Sequence, residues 1–445
     1  MGKKTVWAVT GLISVLFFLG LIKFTGILDS SQSRNHDPDV KIDLTKQYKI
    51  KVWEISNPNM YIDKDEQHKF WSKVISDFEK EYENVKITYT LMEESTFNRR
   101  VEKAAKQNKM ADVVIDWNGT PFLDKESQFP LENYIDFNES FLTGAVDYVK
   151  SHDGSVLAYP IIAKGEYLVV NNNYIGEEEE ISKGGWDFQK FEETLKGISS
   201  EKQMHVMDYQ GFFTSSMLTQ ANITAVEADG KLNWYDQGFI KIYQDIDKWR
   251  EKGIVAYSDN WLKNFWHDKV AILGGVDSWV YLKTLERNKK LSNNEIKSPG
   301  SNHKIDCILL PYPQIDLAKP RYGMEVVSAI PFVDSDYKGD DHSKLVVEFI
   351  QFMSGYFVDF YTTNSCYVPV DTRMHGHWKE VSPLDKISIH SAIKTIEYGM
   401  PIRSRFFKDL EEESKVIESI QPLLDEYWKE GSSIEKLIEG IQKGG

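Results

Sequence analysis

The chain has 445 residues, 41% hydrophobic and 27% charged, an ordinary globular composition with length enough for two domains that each bury a core. Its 53 Lys and Arg stand against 68 Asp and Glu, a net charge of −15, which argues against a nucleic-acid partner because phosphate contacts need clustered cations. Two cysteines, Cys307 and Cys366, without C-x-x-C spacing leave zinc ribbons and thioredoxin-like chemistry unsupported. They read as two buried thiols or, outside the cell, as a disulfide.

Thr5 to Ile22, "TVWAVTGLISVLFFLGLI", carries no charge and follows Lys3 and Lys4. At helical rise it spans roughly 27 Å, a short bilayer crossing. The lysines keep the amino terminus inside, so the remainder is exported. The alternative is a cleaved signal peptide, for which only Ser31-Gln32-Ser33 offers small residues. The favoured reading is a retained anchor over residues 1–28. Residues 29–47 are polar and patternless, a tether.

From Tyr48 the pattern changes. "YKIKVWEI" alternates as a strand, and Phe70, Trp71, Val74, Ile75 and Phe78 recur at helical spacing. "NVKITYTLM" alternates again, "STFNRRVEKAAKQNK" is helical with Ser95 as N-cap, and "ADVVIDW" is a short apolar strand. Strand, helix, strand, helix, strand predicts α/β architecture with a doubly wound, mostly parallel sheet. Ligands of such sheets sit beyond the carboxyl ends of the strands. The stretch "DGSVLAYPIIAKGEYLVVNNNYI" then holds two strand-like runs separated by Pro160 and a loop-like Ala163-Lys164-Gly165. That is too short a link for a crossover helix.

A second α/β region follows. Glu177 to Glu180 reads as a solvated loop, "WDFQKFEETLKGI" and "QGFIKIYQDIDKWREKG" as helices, and "KVAILGG" as a strand running into "VDSWVYLKTLE". Leu285 to Lys304 reads as a surface excursion, "IDCILLPYP" and "GMEVVSAIPF" as strands, and "SKLVVEFIQFMS" as an amphipathic helix. Helices finish the chain.

No nucleophile elbow, P-loop, dinucleotide fingerprint or H-E-x-x-H occurs. Asp334-Ser-Asp336 opens like a calcium loop but has Leu345 where a bidentate Glu belongs, and His375-Gly376-His377 lacks a third ligand. No metal, cofactor or catalytic residue is expected. Trp53, Trp117 and Trp279 fall at or near strand ends, where an indole can lie against a sugar ring while Asp, Asn or Glu meets its hydroxyls. Trp71, Trp249 and Trp428 lie on helical apolar stripes and read as core.

The order of these segments resembles the extracellular solute-binding proteins of bacterial ABC importers, in the sugar-binding group that includes maltose-binding protein. The resemblance runs from Tyr48 to Gly445 through "IKVWEI", "KMADVVIDW", "DGSVLAYPIIAKGEYLVVNNNYI", "GGWDFQKFEETLKGI", "NFWHDKVAILGGVDSWVYL", "LLPYP" and "SSIEKLIEGIQ". Ala111 stands where the family usually has proline, Gly185 where it has threonine, and no lipobox cysteine follows the apolar run.

The resemblance implies two doubly wound α/β lobes of the type II periplasmic-binding-protein fold. Residues 48–162 with 314–353 would form the first and 163–313 with 354–445 the second, joined by crossings near Ile161–Glu166, Leu310–Pro313 and Phe352–Tyr356. It implies a carbohydrate captured between the lobes and delivered to ABC permease subunits; in place of the family's lipid tether, the apolar segment with its polar linker would hold the chain on the extracytoplasmic face. Carried over by position, the ligand contacts would be Trp279, Asp116, Trp117, Asn118, Glu54, Asn57, Asn59, Lys164 or Glu166, and Arg403 with Phe406 and Phe407. A surface sensor on the same fold and a secreted glycan-active enzyme are the alternatives.

Overall fold

The structure, a computed structural model, describes residues 37–444 except 57–62, 108, 118–127, 152–153, 203–204, 209–236, 257, 259, 277–278, 297–302, 334–337, 364, 402–421 and 424. The apolar segment Thr5–Ile22 lies outside them. Among the described residues no helix is long and apolar enough to cross a membrane.

The first lobe opens with β1 (Tyr48–Ser56), α1 (Lys64–Glu81), β2 (Val85–Glu93), α2 (Glu94–Lys106) and β3 (Val113–Asp116). Asp63 caps α1 by accepting the Glu66 N–H at 2.8 Å, as a short carboxylate at an N-cap does. Helix α2 starts at Glu94 with Glu93 in the cap position, ahead of the expected Ser95. After α3 (Thr143–Tyr148) come β4 (Tyr159–Gly165) and β5 (Tyr167–Asn171).

Next follow α4 (Glu178–Gly184), α5 (Phe188–Lys202), β6 (His205–Asp208), α6 (Gln237–Glu251), β7 (Val255–Ala256), α7 (Trp261–Trp266), β8 (Val270–Val276), α8 (Trp279–Ser292) and β9 (Cys307–Pro311). The chain closes with β10 (Tyr322–Pro331), α9 (Asp340–Thr362), β11 (Val368–Pro369), α10 (His375–Val381), α11 (Lys386–Glu397), β12 (Gly399–Pro401) and α12 (Ile434–Gly444).

These strands form two sheets. Among the described residues the first has seven strands, in the order β11-β4-β10-β3-β1-β2 with β12 beside β10, and the second five in the order β7-β6-β8-β5-β9. Strand β1 pairs in parallel with β2 and β3, while β10 and β4 run antiparallel. Helix α9 covers the first sheet with a stripe of Leu345, Val346, Phe349, Ile350, Met353, Phe357 and Tyr361, all buried. The second sheet holds its own core of Leu168, Val170, Trp186, Phe191, Trp249, Ile272 and Leu310, closed by Tyr427 and Trp428 from the end of the chain. Trp71, Trp249 and Trp428 are buried, as their helical stripes foretell.

Several expectations change. Pro160 and Ala163-Lys164-Gly165 lie inside β4, not between strands. The pairing of β4 with β10 shifts register between Val327 and Ser328 beside Pro160, an irregularity that accommodates the missing N–H. Glu178 to Glu180 form the acidic first turn of α4, favoured by the helix dipole, and α8 continues to Ser292 through part of the expected surface excursion.

The chain passes from β4 in the first sheet to β5 in the second through Glu166 alone, and returns from β9 to β10 through residues 312–321. The crossing expected near Phe352–Tyr356 falls within α9, whose residues on both sides of it pack into the same core. Strands β11 and β12, beyond the expected boundary at 353, also hydrogen-bond in the first sheet. Helix α11 packs against β9 and α4 on one side and β4 and β10 on the other, and its Ser388 Oγ accepts the buried Leu309 N–H at 2.8 Å.

Residues 37–47, part of the expected tether, are seated on the first lobe. Lys46 Nζ meets Asp341 at 2.8 Å, the Tyr48 hydroxyl donates to the same carboxylate at 2.6 Å, and Asn84 Nδ2 donates to the Lys46 carbonyl at 2.7 Å.

Candidate functional site

Register locates the site before any side chain does. Strand β10 pairs Ser328 with Asp116 and Met324 with Gly165, so the β4–β5 crossing lies past the carboxyl ends of β1, β2 and β3. In the second sheet Tyr167 opposes Val276, and β6 and β7 are parallel to β8, so the carboxyl ends of all three also point to the crossing. The carboxyl-terminal edges of two α/β sheets, where ligands of such sheets generally sit, therefore face one hinge.

On the second-lobe side Trp279 opens α8, three residues past the end of β8, and is half-buried. Trp261, which opens α7 just beyond β7, meets it edge to face at 6.2 Å, and Lys283 Nζ lies 4.3 Å from the Trp279 ring centroid. Trp261 escaped the sequence reading because β7 has only two residues. Its placement after a strand, shared with Trp279, is the signal that could have found it.

At the hinge Lys164 Nζ pairs with Glu325 at 3.0 Å, and the Glu166 N–H donates to the Gly323 carbonyl at 3.2 Å. Both candidate hinge residues thus bind β10 across the crossing, and Glu325 joins them as a residue the sequence did not mark.

On the first-lobe side the two faces of the sheet divide the candidates. In parallel pairing Glu54 aligns with Ile115, which places Asp116 on the opposite face, with Trp53, and Trp117 on Glu54's own face. Asp116 is fully buried. Glu54, 1% exposed, points into the core: one carboxylate oxygen accepts the Trp117 indole N–H at 3.1 Å and the Tyr361 hydroxyl at 2.7 Å, the other the Trp71 indole N–H at 2.5 Å. Gln67 Nε2 donates in turn to the Tyr361 hydroxyl at 3.1 Å. Burial pushes the Glu54 carboxyl up to about 7, against the three donors, which favour the anion. Trp117 is 6% exposed, its N–H committed to Glu54, so it packs beneath the strand ends.

Asn57, Asn59, Asn118, Arg403, Phe406 and Phe407 lie outside the described residues. No group of His, Cys, Asp and Glu among the described residues could hold a metal ion; His375 Nε2 lies 2.8 Å from the Pro369 carbonyl oxygen, and His377 pairs with Asp359. Cys307 and Cys366 are buried and not joined in a disulfide, as the thiol reading has it. A separate cavity of about 240 Å³ lies between α5, α6 and the β9–β10 connection, bordered by Phe188, Trp249 and Ile315.

No family model matches the sequence, and no curated protein matches it significantly. Solved structures do match in three dimensions. The sugar-binding protein MalE from Xanthomonas citri is similar at a TM-score of 0.65 and 14% identity, over 89% of this chain and 96% of that one. A cyclo/maltodextrin-binding protein complexed with maltotetraose gives 0.63 and 16%, over 89% and 96%. The cyclic alpha-maltosyl-1,6-maltose binding protein from Arthrobacter globiformis gives 0.63 and 12%, over 89% and 98%. Identity this low speaks to architecture alone. The chain has the type II solute-binding-protein fold, two α/β lobes joined by hinge strands.

Proposed function

We propose that this protein is an extracytoplasmic solute-binding protein that captures a carbohydrate, an oligosaccharide, between its lobes and delivers it to an ABC import permease. The observation that carries the reading is the convergence of both sets of strand ends on the Glu166 crossing, with the half-buried Trp261–Trp279 pair on one side. A ligand in that position touches both lobes only when they close, so binding shifts the hinge equilibrium toward the closed state. An indole face supplies the apolar platform a pyranose ring needs. The mechanism is capture and release, with no bond made or broken. The similarity to proteins named for maltodextrin and cyclic maltosyl ligands supports a glucan as the first cargo to try.

The test is a thermal-shift screen of the protein against maltose, maltotetraose and other oligosaccharides. A ligand at a hundredfold excess over its Kd adds about 2.7 kcal/mol to native stability, which raises Tm by several degrees. A shift with one sugar class that Trp279→Ala removes supports capture; no shift with any saccharide overturns the sugar assignment.

A further inference from the structure

The tryptophan platform of the second lobe carries a charge that the capture mechanism leaves unused. Trp279 lies three residues past Val276, which opposes Tyr167 at the crossing, and Lys283 stands one helical turn further along α8 on the same face. Its ammonium is held 4.3 Å from the centre of the Trp279 ring, within cation–π range. Lys283 is exposed, and among the described residues no carboxylate pairs with it. The helix does hold an acid within reach: Glu286 is three residues on, yet it pairs with Lys290 at 2.5 Å. The Lys283 ammonium is left to the indole.

The acidic candidates do not offset this charge. Glu54 points into the core, Asp116 is fully buried on the other face of its sheet, and Glu325 is paired with Lys164. Glu166 belongs to the crossing rather than to the platform. Among the described residues, the charged group seated on the Trp261–Trp279 pair is therefore a cation.

A sugar ring that stacks on the face Lys283 covers has to move the ammonium aside. A neutral sugar returns nothing for the lost cation–π contact, whereas a ring carrying a carboxylate, sulfate or phosphate offers the same ammonium a stronger partner. The flexible four-carbon stem lets the charge follow such a group without moving the helix. We propose that Lys283 sets the class of cargo: the saccharide captured at Trp279 is an anionic one, its acidic group paired with this ammonium. The class of cargo rests on the capture reading above and narrows it.

The probes are maltotetraose, the same tetrasaccharide with its C6 hydroxymethyl groups oxidised to carboxylates, and its C6 sulfate, which differ in charge and not in linkage. If the thermal-shift screen selects another saccharide, that sugar and its two acidic forms take their place. Calorimetric titration of the full chain gives each Kd at low and at high salt. An acidic form is expected to bind about tenfold more tightly than the neutral one at low salt, as a hydrogen bond to a charged group allows, and to lose most of that advantage at high salt. The carboxylated and sulfated arms show which anion the site favours. Lys283→Gln is expected to remove the difference between acidic and neutral forms, Lys283→Arg to keep it and Lys283→Glu to invert it. A lysine that merely holds the Trp279 ring in place would shift all the Kd values together in Lys283→Gln, and that outcome overturns the proposal. So does a neutral sugar that binds as tightly as both acidic forms, or an acidic advantage that survives Lys283→Gln. If no saccharide, neutral or acidic, binds at all, the capture reading itself falls and the cargo class with it.

Discussion

In the first lobe the indoles of Trp71 and Trp117 are buried with their N–H groups committed to one carboxylate, whereas in the second Trp261 and Trp279 are half-buried and meet through ring edges beside Lys283. Both sets occupy the carboxyl ends of strands or the helices packed there. The first set carries polarity inward and is satisfied; the second keeps part of its ring surface uncovered. A tryptophan at a strand end is therefore not by itself a ligand platform, because the parity of the preceding strand decides which way it turns.

Truncation separates the two sets most sharply. Trp71→Ala is expected to cost roughly 3–5 kcal/mol by urea unfolding, since it empties a fully buried site and strips Glu54 of a donor. Trp279→Ala is expected to cost under about 1.5 kcal/mol, because the residue is only partly covered, while removing the saccharide-induced Tm shift. Equal losses of stability at the two sites would erase the distinction.

Next in size is a pH effect confined to the first lobe. Glu54's folded value of about 7 lies above its unfolded value near 4.5, so the folded chain keeps a proton that the unfolded chain has released. This contribution is full below pH 4.5 and is lost as pH rises through about 7, up to about 3 kcal/mol in all. Wild type minus Glu54→Gln, followed by urea midpoint from pH 4 to 8, should show that decline; a flat difference would refute it.

The smallest effect belongs to the hinge. Lys164 and Glu325 are each about one-fifth exposed at the side chain, and their coupling in a double-mutant cycle is expected at roughly 0.5–1 kcal/mol. A coupling that disappears when ligand is added would mean that the pair opens on closure.

Much of the architecture was readable from pattern. The alternation of β1 and the helical spacing of Phe70, Trp71, Val74 and Phe78 specify the first βαβ unit because one periodic face of each must be buried. The passage from β4 to β5 was expected from the resemblance; the pattern alone ended the first run at Pro160 and took Ala163-Lys164-Gly165 for a loop, where the structure has one strand. Strands β6, β7, β11 and β12 span only two to four residues, too few for any periodicity to register.

The direction of Glu54 was legible in principle, since it shares parity with Tyr48, Ile50 and Val52. What makes that inward position tolerable was not, because its partners stand 17, 63 and 307 residues away. Trp279 was marked as a candidate by its place after β8. Trp261 was not, its strand being too short to see.

The two sheets also differ in when they can be completed. The described strands of the second sheet all lie between Gly165 and Tyr322, so a chain emerging N-terminus first has these five strands by Pro311, although Tyr427 and Trp428 close their core only near the end of the chain. The first sheet must wait for β10 to join β3 to β4, with β1, β2 and β3 held as a fragment for some two hundred residues. We predict that pulse-labelled hydrogen exchange during synthesis protects the β5–β9 amides before those shared by β3 and β10; simultaneous protection would show that the halves assemble as one cooperative unit. A fragment with an unpaired β3 edge presents open hydrogen-bonding groups for that interval, which makes the nascent first lobe the stage at which the chain is most exposed to aggregation.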